Sequence, residues 1–218
     1  MSRVASAVPS QAAPAPCLRH LGSGQAPPAE WLELLAQRHS VGPKHLLHPA
    51  PDASALQRAA RVALRAPDHR HLQPFRFVQV QDAQREELAS LFAQDAARRG
   101  HGADEVERAR ERAHNGPALL AVVGHVRANA PEVPESEQWI CIGAGLMNFL
   151  NALHLMGFGA KVLSGASVRD EAIRSAFCEP GETLVAWLLA GTPDRTPAPK
   201  FVDDPGRVLS VWRGCTGP

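Results

Sequence analysis

Residues 117–126 read PALLAVVGHV, residues 137–156 read EQWICIGAGLMNFLNALHLM, and residues 183–190 read TLVAWLLA. The first and third are nearly unbroken apolar runs of strand length, which suits strands covered on both faces. The stretch between them has the length and spacing of a helix, with Ile140, Ala144, Met147, Leu150, Leu153 and Leu155 spread around most of its circumference. A helix that is apolar on every side belongs in the centre of a core or at a subunit interface. Two buried strands and one buried helix therefore predict a mixed α/β chain, a small sheet covered by helices.

Upstream, Phe75-Arg76-Phe77-Val78-Gln79-Val80-Gln81 alternates like a half-buried strand. Before it comes a helix with Asp52 as its cap and Leu56, Ala59, Ala60, Ala63 and Leu64 on one face. Pro67 must end that helix, because proline disfavours helical geometry for its predecessor. Pro27-Pro28 opens an earlier helix that runs into Arg38-His39-Ser40 and stops at Gly42-Pro43, with residues 43–51 as a loop. A polar helix is expected over 83–97 and a densely charged one over 104–114. After the long helix, a glycine turn leads into a short strand at 160–163, then a short helix at 170–177 with Ser167 as its cap. Helices and strands alternate too irregularly here for a doubly wound sheet.

The 218 residues carry 23 Lys+Arg against 22 Asp+Glu, a net charge of +1 that argues against a nucleic-acid partner. No stretch reaches the ~20 apolar residues of a membrane span. Cys17, Cys141, Cys178 and Cys215 are dispersed with no CxxC pair, so reduced thiols in a cytoplasmic protein are expected rather than a zinc site or a disulfide framework. Residues 1–28 are rich in Ala, Pro, Ser and Gly, lack the apolar segment of a secretory signal, and read as a disordered or extended arm. The expected domain spans 29–204, and 205–218 form a C-terminal tail.

The dinucleotide fingerprint fails, since Gly143-Ala144-Gly145 lies in a helical pattern and position 148 is Asn. GxxxxGK[ST], GxSxG and HExxH are absent. His69 and His71 have the spacing of metal ligands on a strand, but no third ligand accompanies them, and no metal is expected. Glu137 and His154 have no nucleophile beside them and receive no acid–base role.

Three segments remain as binding candidates. Arg38, His39 and Ser40 put two potential cations and a hydroxyl together, a set able to hold a phosphate by charge-assisted hydrogen bonds. The same set also suits a basic helix C-terminus. Arg65 and His69 follow a helix and precede a strand, where loops bind ligands, or they are simply a helix stop and a surface histidine. Residues 157–165 (GFGAKVLSG) let backbone approach a planar ligand, or form only a glycine-rich turn.

Taken in order, Arg38-His39-Ser40, Leu64-Arg65-Ala66-Pro67-Asp68-His69 with Gln73-Pro74-Phe75, Asn115-Gly116-Pro117, Val133-Pro134 with Glu137-Gln138, Gly157-Phe158-Gly159, Ser164-Gly165-Ala166 and Gly191-Thr192-Pro193 resemble the nitroreductase family of FMN-dependent oxidoreductases. The likeness is greatest to its compact, single-domain NAD(P)H nitroreductase subgroup and covers about residues 30 to 204. The resemblance implies a three-layer α+β sandwich with a small, mostly antiparallel sheet, and an intertwined homodimer holding two FMN sites at its interface. It places Arg38, His39 and Ser40 on the flavin phosphate and ring edge, and Val162, Leu163 and Ser164 along the flavin through backbone contacts. Arg65 and His69 would reach the flavin held mainly by the other subunit. NADH or NADPH would lie near Ala152, Leu153, His154, Leu155, Met156 and Gly157. The implied activity is electron transfer from NAD(P)H to a nitroaromatic or quinone-like acceptor by a ping-pong mechanism, in the cytoplasm. His39 stands where the family usually has arginine, and Val162-Leu163 where the subgroup shows an aromatic residue and an arginine. Those departures carry an alternative, a flavin-binding sensor or carrier without NAD(P)H turnover.

Overall fold

The computed structural model describes residues 29–195 and 204–214. The arm at 1–28, most of the C-terminal tail's approach at 196–203, and residues 215–218 lie outside the described residues, as do Cys17 and Cys215. Contacts divide the chain at Gln37. The first unit is represented by α1 (Ala29–Ala36), an apolar helix with Glu30 in its first turn, where a carboxylate complements the helix dipole. It ends sooner than the sequence pattern suggests. Residues 38–40 are not helical.

The second unit is built on five strands: β1 (Leu46–Leu47), β2 (Phe75–Val80), β3 (Ala118–Gly124), β4 (Gly159–Leu163) and β5 (Thr183–Pro193). β5 is central, pairing β3, β4 and β1, and β2 pairs β3; every one of these pairings is antiparallel. β1 falls in the stretch expected to be loop. Two residues carry too little pattern to read as a strand, and only their ladder to Thr192 and Pro193 defines them.

β3 is buried along its whole length, as its unbroken apolar run requires. Leu119, Ala121 and Val123 face one core; Ala118, Leu120 and Val122 face the other. β5 keeps the same division through a bulge. Val122 pairs Ala186 and Val123 pairs Leu184, so Val185 is the extra residue. The bulge shifts the alternation by one, which lets Leu184 and Trp187 share a face despite their odd separation.

Helices cover both faces. α2 (Ala53–Ala63) and α5 (Glu135–Leu155) pack on one side; α3 (Arg85–Arg98), α4 (Ala103–Glu111) and α6 (Glu171–Phe177) pack on the other. This is the three-layer α+β sandwich expected from the sequence. Asp52 caps α2 through the Ala55 amide at 2.7 Å. At α6 the cap is Asp170, which accepts from the Ile173 amide at 3.0 Å. Ser167, the expected cap, instead accepts the Trp187 indole N–H at 3.2 Å.

α5 is not buried all round. Gln138, Cys141, Ile142, Gly145, Phe149, Ala152 and Leu153 form its inward stripe. Trp139, Ile140, Met147 and Leu155 are exposed on the single chain. The helix therefore has two apolar stripes, and the sheet of one chain covers one of them. Packing accounts for Gly145, though not for Gly143: a Cβ at 145 would stand 2.5 Å from the Phe75 ring. The close approach of helix and ring needs glycine, independently of any phosphate. No helix among the described residues is long and apolar enough to cross a membrane.

Candidate functional site

The triplet at 38–40 is carried into the sheet margin. Ser40 forms a parallel bridge with Ala160, and the Val41 amide donates to the Ala160 carbonyl at 3.0 Å. Gly159 permits this closeness, since a Cβ at 159 would lie 2.9 Å from Val41 Cγ2. Arg38 and His39 are half-buried and Ser40 is exposed. Beyond Ala160, no described strand pairs with the outer edge of β4. The bridge and the segment at 162–164 thus lie on one strand, about 10 Å apart at the usual rise per residue. Arg38 and the half-buried Lys161 make no ion pair among the described residues. Unpaired cations beside an open strand edge offer an anion both charge and hydrogen bonds.

Arg65 and His69 meet different surroundings. Arg65 lines a hollow of about 390 Å³ with Leu64, Ala66, Asp68, His71 and Gln73. His69 turns away and bonds Glu137 at the start of α5, Nδ1 to Oε2 at 3.0 Å. The loop that holds them is unusual: Arg70, His71 and Gln73 all have φ between 49° and 65°. Asp68 braces it by accepting the Leu72 and Gln73 amides at 3.0 and 2.9 Å. Arg70 pairs with Glu132, itself at φ 63°. Non-glycine residues in this region cost energy and cluster at functional sites. The strand spacing that made His69 and His71 resemble metal ligands does not exist here, because the backbone is a tight turn.

The stretch at 152–157 divides. Ala152 and Leu153 are buried in the core under α5, so the side chains open to a ligand are those of His154, Leu155 and Met156. Gly157 follows with φ 86° and ends the helix.

A cavity of about 460 Å³ opens beside Leu163 and Ser164, on the α3 and α4 side of the sheet. Sequence reading missed it, because its floor of Phe92, Leu119, Trp187 and Leu189 is indistinguishable from ordinary core before the chain folds. Its rim includes Arg112 and Asn115. The one available signal was Asn115-Gly116-Pro117, noted only as a short match.

Charge elsewhere is spent on structure. Glu182 accepts from the Arg76 guanidinium (Nε to Oε1 2.7 Å) and from the Glu179 amide at 2.8 Å. Arg76 holds the Glu182 carboxyl below its usual range against the opposing effect of burial. Burial pushes the Cys141 thiol up to about 11, with the Asp68 charge adding to it, and burial raises Cys178 as well. Both shifts work against the thiolate, which is the reactive form.

The model of the "Nitroreductase family" matches residues 35–192. A protein of Escherichia coli strain K12 named "Putative NAD(P)H nitroreductase YdjA" is 33% identical over 163 residues, covering 74% of this chain and 87% of that protein. The crystal structure of a "Nitroreductase-like Family Protein" from Bacillus cereus superposes with a TM-score of 0.69 at 18% identity, covering 88% of this chain and all of the other. A Desulfovibrio desulfuricans structure described as a "putative nitroreductase in complex with fmn" has a TM-score of 0.61 at 20% identity, covering 84% and 98% of the two chains.

Proposed function

This chain belongs to the nitroreductase family, and from that premise we propose that it is an FMN-dependent oxidoreductase, passing electrons from NAD(P)H to a nitroaromatic or quinone-like acceptor. The observation that carries the reading is Arg38, half-buried, without an ion pair among the described residues, and next to the Ser40–Ala160 bridge at the edge of β4. The donor set there fits a flavin phosphate: a guanidinium, an imidazole and a hydroxyl, with Lys161 beside them. The relative from Desulfovibrio desulfuricans, solved with FMN, supports the choice of ligand.

Arg38, His39 and Ser40 hold the phosphate, and the backbone at 162–164 borders the ring with its free edge groups. Arg65 and His69 come from a second copy of the chain. His154, Leu155, Met156 and Gly157 form the outlying contact for the nicotinamide nucleotide. The second copy rests on the exposed stripe of α5, where Ile140 is 64% and Leu155 55% exposed. An apolar stripe of that kind marks a protein interface.

When bound, FMN supplies the redox chemistry, taking hydride from NAD(P)H and passing electrons on. The chain's contribution is placement and charge. Positive charge at Arg38 and Arg65 favours the electron-rich state of the site. One open face receives donor and then acceptor, which gives ping-pong kinetics. In total, a nitro group reduced to nitroso consumes the hydride of NAD(P)H and one solvent proton and releases water.

Absorbance spectra before and after anaerobic NADPH test the proposal. A yellow protein bleached by NADH or NADPH supports it. Colourless protein that ignores added FMN overturns it, and bound FMN that neither nucleotide reduces points to a flavin carrier or sensor. Arg38→Ala should weaken FMN binding by roughly tenfold or more, the usual effect of losing a charge-assisted hydrogen bond.

A further inference from the structure

The cavity beside residues 163 and 164 is built for a ring with a charge at one end. Its floor is a rigid aromatic surface. Trp187 meets Phe92 edge-on at 5.3 Å and 83°, meets Phe177 at 5.1 Å and 89°, and donates its indole N–H to Ser167. Leu119 and Leu189 complete it from neighbouring strands. Gly165 stands on the wall with no atom within 4 Å of where a Cβ would be, which leaves that wall low and open. A volume of about 460 Å³ admits one substituted planar ring.

The charge comes from one residue. Asp95 neutralises Arg99 through two hydrogen bonds of 3.0 and 2.8 Å, so that arginine offers no net charge. Arg112 has no ion pair and no side-chain hydrogen bond among the described residues, and Asn115 has no side-chain partner there either. Both sit on a stiff segment. The buried Arg85 donates to the carbonyls of Ala113 and Pro117 at 2.9 and 3.0 Å, pinning the chain on each side of Asn115 and at the residue that follows Arg112. The guanidinium is therefore a cation with no counter-charge among the described residues, carried on a held backbone beside an aromatic slot. Its planar fork matches a carboxylate.

We propose that this cavity selects planar aromatic carboxylates, the ring lying on Trp187 and Phe92 and the carboxylate on Arg112 and Asn115. The inference rests on the flavin reading in one respect: Leu163 and Ser164 border both the cavity and the proposed flavin, so the ligand held there is the electron acceptor. It narrows the acceptor class from nitroaromatics and quinones at large to those bearing an acid group.

The test compares 4-nitrobenzoate with nitrobenzene, the same ring without the carboxylate. Binding to the purified full-length protein is measured by calorimetry and by Trp187 fluorescence, with Trp187→Phe to assign the signal, both without FMN and after saturation with FMN. The acid should bind at least roughly tenfold more tightly than the neutral ring, and Arg112→Gln should erase that difference while leaving nitrobenzene unchanged. In turnover the same variant should raise KM for the acid and leave kcat near wild type. Arg112→Lys should recover part of the preference, which a purely structural role would not predict.

Equal affinity for the two rings overturns the proposal. So does an acid preference that survives Arg112→Gln, and so does loss of the probe when FMN binds, because the cavity would then be the flavin's own. Acid-selective binding by a protein that takes up no FMN retains the cavity as an aromatic-acid site and removes the flavin reading, so the two failures are distinct.

Discussion

Glu182 shows how a single carboxylate serves the fold. It is 8% exposed and shared between Arg76, which is 40% exposed, and the backbone of the 179–182 turn. Its folded pKa lies below the ordinary value of 4.5, first because of the Arg76 hydrogen bond and against the opposing effect of burial. A depressed carboxyl contributes stability that is complete above the unfolded pKa and is lost as pH falls through the folded one. Stability should therefore decline on acidification below about pH 4.5, with Asp170 adding to the slope. That carboxyl is also held low: burial works against it, and the Arg98 hydrogen bond and the Ile173 amide outweigh burial. Glu182→Gln should cost about 1–2 kcal/mol at pH 7, discounted for the half-exposed arginine, and should flatten the acid slope. Urea unfolding at pH 7 and pH 4 reads both effects, and a variant whose pH dependence matches wild type would remove Glu182 from the account.

The elements show what glycine and burial decide between them. Gly145 sits on the inward stripe of α5 against Phe75, whose ring is held edge-on to Phe77 at 5.8 Å. Gly143 has nothing within 4 Å of its missing Cβ. Alanine is worth about 0.5–1 kcal/mol over glycine inside a helix, whereas overpacking a core costs about 1–3 kcal/mol. Gly145→Ala should therefore destabilise by about 1–2 kcal/mol and Gly143→Ala should stabilise slightly, a pair of opposite signs that thermal or urea unfolding resolves. The sequence shows both glycines alike, and nothing in it separates them. What it does show are the long runs: β3, β5 and α5 are legible because long, mostly apolar stretches leave few alternatives. The turn at 69–73 and the two-residue β1 are not, since one depends on positive φ at residues that are not glycine and the other on a partner far away in the chain. The site divides in the same way. Arg38, His39 and Ser40 stand out as a basic cluster, and their bridge to β4 gives the cluster a place. Arg112 and Phe92 belong to stretches that read as a charged helix and a polar helix, and only the folded chain brings them to one cavity.

At the scale of the molecule, the proposed flavin site draws on residues 38–40 and on Arg65 and His69, and the proposal joins two chains along the exposed stripe of α5. Ile140→Asp would put a charge into the proposed interface, and should shift the protein to a monomer in sedimentation and lower its affinity for FMN together. Complementation makes the stronger test. If each site takes residues 38–40 from one subunit and Arg65 and His69 from the other, Arg38→Ala and Arg65→Ala disable different contributors to the same site. A mixed dimer then has one site carrying both substitutions and one carrying neither. After unfolding and refolding an equal mixture, half the dimers are mixed, so roughly a quarter of all sites should regain wild-type FMN affinity. Fluorescence titration of FMN into the refolded mixture counts those sites. If both residues instead served a site within a single chain, mixing would restore nothing, and the shared site would have to be abandoned even were the protein a dimer.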